Sequence, residues 1–250
     1  TLSLHDALPI LNIGCDFVSP ATPHFERYDL LIVPALYTAS DDLLERLNRF
    51  VYEGGHIVYT FKSGFTDQNV KVRSERQPGI IGEACGISYN MFVEPKRVTL
   101  KDDPFQVGED QNQVHTWMEL LTPSTAEVLA YYDHPHWGKY AAVTQNGYGE
   151  GRAVYIGCMT SEAVMGKILE HAAKEAGLWG QDQEIRFPLI TKHGVNEIGK
   201  TVRYYFNYSE MPASLDYRHR EGIELLSGQP VSSGQTLKLE PWGFTIIEEQ

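Results

Sequence analysis

Few residues in this chain have the type and spacing to do chemistry, and each also has a plain structural reading. Cys158 lies in Gly157-Cys158-Met159-Thr160-Ser161, between an expected strand and an expected helix, where a thiol can be acidified by the helix N-terminus. A lone cysteine at a strand end is equally an ordinary small buried residue, and that reading is preferred. Cys15 and Cys85 have the structural reading alone. Asp133-His134-Pro135-His136, with His115 as a third side chain, could hold a metal, but proline between two histidines suits a surface loop. No metal and no other cofactor is expected. Gly147-Tyr148-Gly149-Glu150-Gly151 is glycine-rich enough to cradle a phosphate, yet a phosphate loop follows a strand and opens a helix. This run precedes a strand, so a hairpin turn is the expected use. Glu45, Glu53, Glu127 and Glu150 are scattered acids without fixed partners and read as solvated.

The elements that would position these groups follow from composition and period. With 42% hydrophobic and 22% charged residues, the 250-residue chain can build a core and is not disordered. Its net charge of -12 argues against nucleic acid or an anionic membrane as partner. No apolar run approaches the ~18 residues of a spanning helix. Three widely spaced cysteines exclude a disulfide scaffold or a four-thiolate zinc site within the chain. Tyr28 to Pro34 reads as a buried strand, and Ser40 caps a helix carrying Leu43, Leu44, Leu47, Phe50 and Val51 at helical spacing. Gly54-Gly55 stops that helix, and His56 to Phe61 is a second buried strand. Strand, helix and strand in this order predict a βαβ unit and a parallel sheet. Ile13 to Val18 reads as a further short strand, Pro78 to Gly86 as a short helix, and Lys96 to Tyr132 as antiparallel strands. A buried strand over Arg152 to Ile156 and an amphipathic helix over Ser161 to Gly177 complete this α/β part. From Glu184 onward, short alternating segments separated by turn residues predict a small antiparallel sandwich or barrel.

On these elements the loop from Lys62 to Asn69 is the best functional candidate, because it leaves the carboxyl end of a parallel strand, where open α/β sheets present binding groups. Lys62, Ser63, Asp67 and Asn69 are its candidate residues. Ser63 has no histidine beside it and no helix begins there, so a nucleophile is not expected. The simpler alternative is a structural loop whose Asp and Asn cap their own backbone.

Several stretches resemble glycoside hydrolase family 42 β-galactosidases. They are Tyr28-Asp29-Leu30-Leu31-Ile32-Val33-Pro34-Ala35-Leu36-Tyr37, Gly54-Gly55-His56-Ile57-Val58 and Phe61-Lys62-Ser63-Gly64 with Asp67 and Asn69. Ala126-Glu127-Val128-Leu129-Ala130, the run Asn146 to Arg152 and the Leu239-Glu240-Pro241-Trp242-Gly243 ending are similar as well. The resemblance implies a flavodoxin-like trimerisation domain, related to the class I glutamine-amidotransferase fold, over residues 11–180, and an antiparallel β domain over 181–250. It further implies that a catalytic (β/α)8 barrel precedes them and carries both glutamates of a retaining mechanism, so no residue here inherits a catalytic role. The partners implied are that barrel and two further copies in a homotrimer, with galactoside as substrate of the whole enzyme, in the cytoplasm. Lys62, Ser63, Asp67 and Asn69 would contact the barrel or rim its active site. Two other readings remain open. One is a stand-alone amidotransferase-like binding domain with a β module, distinguished by the upstream coding sequence. The other is a carbohydrate-binding β domain using Tyr204, Tyr205 or Trp242, for which strand packing is the default.

Residues 1–10 are not expected to be native. The string actctttccctacacgacgctcttccgatc encodes those ten residues and looks like the end of a sequencing-library adapter, and such scars are excluded from fold reasoning. Without Asp6 the chain has 32 acidic and 21 basic residues, a net charge of -11. Native sequence would then begin near Leu11, with protein upstream of it missing. A sheet that lost its first strand exposes unpaired backbone, so the chain is expected to aggregate readily and to lack galactosidase activity.

Overall fold

A computed structural model describes residues 12–22 and 24–250, and residues 1–10, expected to be adapter-derived, lie outside the described residues. The chain divides into two compact units. One is Val18–Leu178, and the other joins residues 12–17 to Trp179–Gln250.

In the first unit β1 (Leu30–Val33) leads through α1 (Asp41–Tyr52) to β2 (His56–Thr60). The Ser40 side chain accepts from the Leu43 amide, and Asp41 and Asp42 sit in the first turn, where acids favour the helix dipole. Leu44, Leu47, Phe50 and Val51 of α1 pack with Leu31, Ile57 and Tyr59 in one core cluster. Each such side chain contributes about 1.5–3 kcal/mol by leaving water. A short helix follows, α2 (Gly82–Cys85), closed by Gly86 in the left-handed region. Then come β3 (Ile87–Ser88), β4 (Phe92–Val93), β5 (Val98–Leu100), β6 (Gln113–Glu119), β7 (Thr122–Pro123), β8 (Glu127–Asp133), β9 (Ala141–Tyr148), β10 (Gly151–Ile156) and β11 (Cys158–Thr160). The unit ends with α3 (Glu162–Glu175), capped by Ser161 and packed against β2.

Only part of the main sheet is parallel. Strands β1, β2 and β10 pair in parallel, with Leu31 and Ala153 flanking Ile57 in register. The sheet then continues antiparallel through β9, β8, β5, β6 and β11, with β4 also on β6, making nine strands among the described residues. The turn between β9 and β10 is where direction reverses, and it is the glycine-rich run read as a hairpin. Gly149 is required there: its φ is 61°, and a Cβ would come within 2.2 Å of the Tyr52 carbonyl oxygen.

The second unit is all-β. Its strands are β12 (Leu189–Val195), β13 (Thr201–Asn207), β14 (Ala213–Asp216), β15 (Gly222–Glu224), β16 (Pro230–Val231), β17 (Thr236–Leu239) and β18 (Phe244–Glu249). Five form an antiparallel sheet in the order β12-β13-β18-β15-β16, and β14 pairs with β17. Leu189, Tyr205, Tyr217, Leu237, Leu239 and Ile247 make its core.

One expected strand does not form. Residues 13–18 have no strand partner, and 14–18 are exposed. Asn12, in the left-handed region, anchors this segment: its side-chain amide donates to the Ile185 carbonyl and its side-chain oxygen accepts from the Thr191 amide, both at 2.9 Å. The Gln183 side chain in turn donates to the Asn12 carbonyl. These bonds tie the start of the segment to the β unit.

Candidate functional site

At the carboxyl ends of β1 and β2 two loops are laced together. The Leu36 carbonyl accepts from the Gly64 amide at 2.8 Å, the Tyr37 carbonyl from the Thr66 amide at 2.9 Å, and the Thr60 hydroxyl accepts from the Ala35 amide at 2.7 Å. Lys62 is the elbow, with φ 61°, a region that costs a non-glycine residue energy and must be held by its surroundings. Ser63 behind it is fully buried, and its hydroxyl donates to the Thr60 carbonyl at 2.7 Å while accepting from the Leu36 amide. Such a hydroxyl positions the elbow and is not presented to a substrate. Asp67 caps its own loop, accepting from the Asn69 amide at 2.8 Å and the Lys71 amide at 3.0 Å. The Lys71 amide chiefly holds the Asp67 carboxyl below its usual range. Asp67 and Asn69 thus make the self-capped turn considered for this loop, and Asn69 stays exposed.

What holds the elbow is a residue the sequence reading passed over. Glu119, at the end of β6, is completely buried. Its Oε1 accepts from the Lys62 amide at 2.8 Å, the Tyr89 hydroxyl at 2.9 Å and the Trp117 indole at 3.2 Å. Its Oε2 accepts from the Tyr155 hydroxyl at 2.9 Å. Burial pushes its carboxyl up to about 7, against the opposing pull of these donors. The signal available in sequence was a glutamate set in the apolar run Met118-Glu119-Leu120-Leu121, but three of its four donors come from segments 30 to 57 positions away.

An aromatic row borders this node. Phe92 stacks on Trp117 with centroids 4.2 Å apart, Phe65 meets Phe92 edge-on, and Tyr37 stacks on Phe65 at 5.4 Å. The Lys62 ammonium sits 3.7 Å from the centre of the Trp117 ring. Tyr37 and Phe92 remain exposed at the surface of the row.

The other sequence candidates are not brought to this place as working groups. Cys158 is buried, and burial pushes its thiol up to about 12, so it is no nucleophile at neutral pH. The His134 ring nitrogen caps its own loop by accepting from the His136 and Trp137 amides. Among the described residues no three His, Cys, Asp or Glu side chains are grouped to hold a metal. Chemically the node has one carboxyl, bound by four donors, and among the described residues no second carboxyl shares them. It can fix a loop and store a proton; it cannot run the two-carboxylate reaction of a retaining glycosidase.

Comparison with known proteins places these features. A family model described as a β-galactosidase trimerisation domain matches residues 2–179. β-Galactosidase BgaA of Clostridium cellulovorans is 27% identical over 252 residues, covering 98% of this chain and 36% of that protein. β-Galactosidase BgaB of a Geobacillus species is 31% identical over 159 residues, covering 64% of this chain and 23% of its own length. Among solved structures, the β-galactosidase from Bacillus circulans sp. alkalophilus superposes with a TM-score of 0.84 at 22% identity, over 98% of this chain and 36% of that one. The enzyme from Rahnella sp. R3 gives 0.82 at 20% identity, over 98% and 36%. The chain spans about a third of the length of curated relatives such as BgaA.

Proposed function

Because the chain belongs to the family of β-galactosidase trimerisation domains, we propose that it is the assembly portion and closing β domain of a longer enzyme that hydrolyses terminal β-D-galactosides. The reaction belongs to a (β/α)8 barrel outside this chain, and three copies of the whole enzyme close into a ring, each burying one patch against a different patch of its neighbour. The observation that carries this reading is the family match over residues 2–179.

The finer fold is flavodoxin-like, of the class I glutamine-amidotransferase kind. Parallel strands β1, β2 and β10 support this, as does the left-handed elbow at Lys62 directly after β2. The domains run over residues 11–180 and 181–250, behind ten adapter-derived residues, and the whole enzyme works in the cytoplasm. Around the elbow, Asp67 and Asn69 touch the barrel or rim its active site, while Lys62 and Ser63 keep that loop in place.

Light scattering on the whole enzyme tests the assembly role. The intact protein is expected at three subunit masses, and a version ending before Tyr28 at one. A trimer that survives the truncation removes the proposal. Alanine at both Asp67 and Asn69 is expected to lower activity or weaken the trimer, and an enzyme altered in neither contradicts the rim assignment.

A further inference from the structure

The β unit contains a cleft of about 360 Å³ whose walls carry groups the assembly role does not use. That volume lies in the range of small-molecule sites, about 300–1,000 Å³. Ile185, Leu189 and Leu215 give it an apolar side. Glu184, Arg186, Asp216 and Arg218 give it a polar one whose two carboxylates and two guanidinium groups cancel in charge. Tyr205 also lines it. This tyrosine is 1% exposed, its ring packs edge-on against Tyr217, and its hydroxyl is buried without a hydrogen-bond partner among the described residues. A buried orphan hydroxyl is destabilising and calls for an explanation. Arg218 is exposed and makes no hydrogen bond or ion pair among the described residues. Glu184 and Asp216 each use one oxygen, for the Trp179 indole and the Thr236 hydroxyl, and keep the other open among the described residues.

The lining offers both donors and acceptors beside an apolar side, and the charges of the two carboxylates and two guanidinium groups balance. A phosphate or carboxylate would meet two acids along with the two guanidinium groups; a purely apolar ligand would leave Arg218 and the open oxygens of Glu184 and Asp216 without a partner. The ligand chemistry that satisfies both sides is a ring bearing many hydroxyls and apolar C–H faces. We propose that this cleft binds a neutral glycosyl unit, with Arg218 donating to its hydroxyls, Asp216 and Glu184 accepting from them, and the Tyr205 hydroxyl completing the set. The inference stands apart from the assembly role above, because the cleft and its orphan hydroxyl belong to the β unit alone.

The test is titration of the monomer fraction of the 250-residue chain, separated by gel filtration and held at low concentration so that self-association does not mask the result, with D-galactose, D-glucose and lactose, and with acetate and inorganic phosphate as anionic comparators, read by intrinsic fluorescence. At least one sugar is expected to saturate, and neither anion. Arg218→Ala and Tyr205→Phe are each expected to weaken that sugar about tenfold or more, the scale of one lost hydrogen bond to a charged or buried partner. Tyr205→Phe separates binding from folding: it removes an unpaired hydroxyl, so its thermal midpoint stays level or rises while sugar binding falls. Absence of saturable sugar binding, unchanged affinity in both variants, or preference for an anion would each overturn the proposal.

Discussion

Burying Glu119 couples the stability of the α/β unit to pH. Its folded-state carboxyl titrates near 7, above the ordinary 4.5, because desolvation outweighs the four donors around it. In that window the folded chain holds a proton that the unfolded chain has released. Stability is therefore greatest below about pH 4.5 on account of this group, falls as pH rises to about 7, and is level beyond. At about 1.4 kcal/mol per unit the whole change is at most about 3.5 kcal/mol. Glu119→Gln is expected to flatten that slope, measured as denaturation midpoints at about pH 5 and about pH 8. Glu119→Ala instead leaves the Lys62 amide and two tyrosine hydroxyls unpaired and is expected to cost about 3 kcal/mol or more at either pH. Asp67→Ala is expected to speed hydrogen exchange at the amides of Asn69 and Lys71, which lose their acceptor, while leaving the elbow amide of Lys62 protected. At this scale sequence disclosed the place and missed the mechanism. The loop after β2 was legible from the buried strand before it, and the self-cap of Asp67 from its residue types. Glu119 was not legible, because Lys62, Tyr89 and Tyr155, three of its four partners, lie outside its own strand and meet it only when the sheet forms.

Elements whose signals are local were readable, and those defined by distant pairing were not. Helices α1 and α3 follow from Ser40 and Ser161 as caps and from apolar residues at helical spacing. Replacing either serine with alanine is expected to cost about 1 kcal/mol, seen as a lowered thermal midpoint. The hairpin between β9 and β10 follows from its glycines, and Gly149→Ala is expected to destabilise the unit by more than about 1 kcal/mol, since φ is positive and the Tyr52 carbonyl stands in the way. Alternation over residues 96–132 announced antiparallel strands but could not say that they extend the sheet containing β1, β2 and β10. The strand expected over Ile13 to Val18 does not form, and hydrogen bonds joining Asn12 to Ile185 and Thr191, more than 170 positions away, hold the start of that segment at the β unit.

At the scale of the molecule, the outer edge of β1 has no partner strand among the described residues. A strand edge of this kind templates pairing with another chain. The isolated 250-residue chain is accordingly expected to self-associate into irregular species, and the whole enzyme to form one defined oligomer, as read by sedimentation velocity. The order of an α/β domain followed by a β domain, and the family, were accessible from short matching stretches, Tyr28 to Tyr37 and Gly54 to Val58 among them, because they are spaced as one architecture. The central claim, proposed above, is that this chain assembles an enzyme without doing its chemistry. A chromogenic β-galactoside assay on the purified 250-residue chain puts that claim at risk most directly. No turnover above buffer is expected from it. Turnover that rises with chain concentration and disappears when one of its own carboxylates is neutralised would contradict the account.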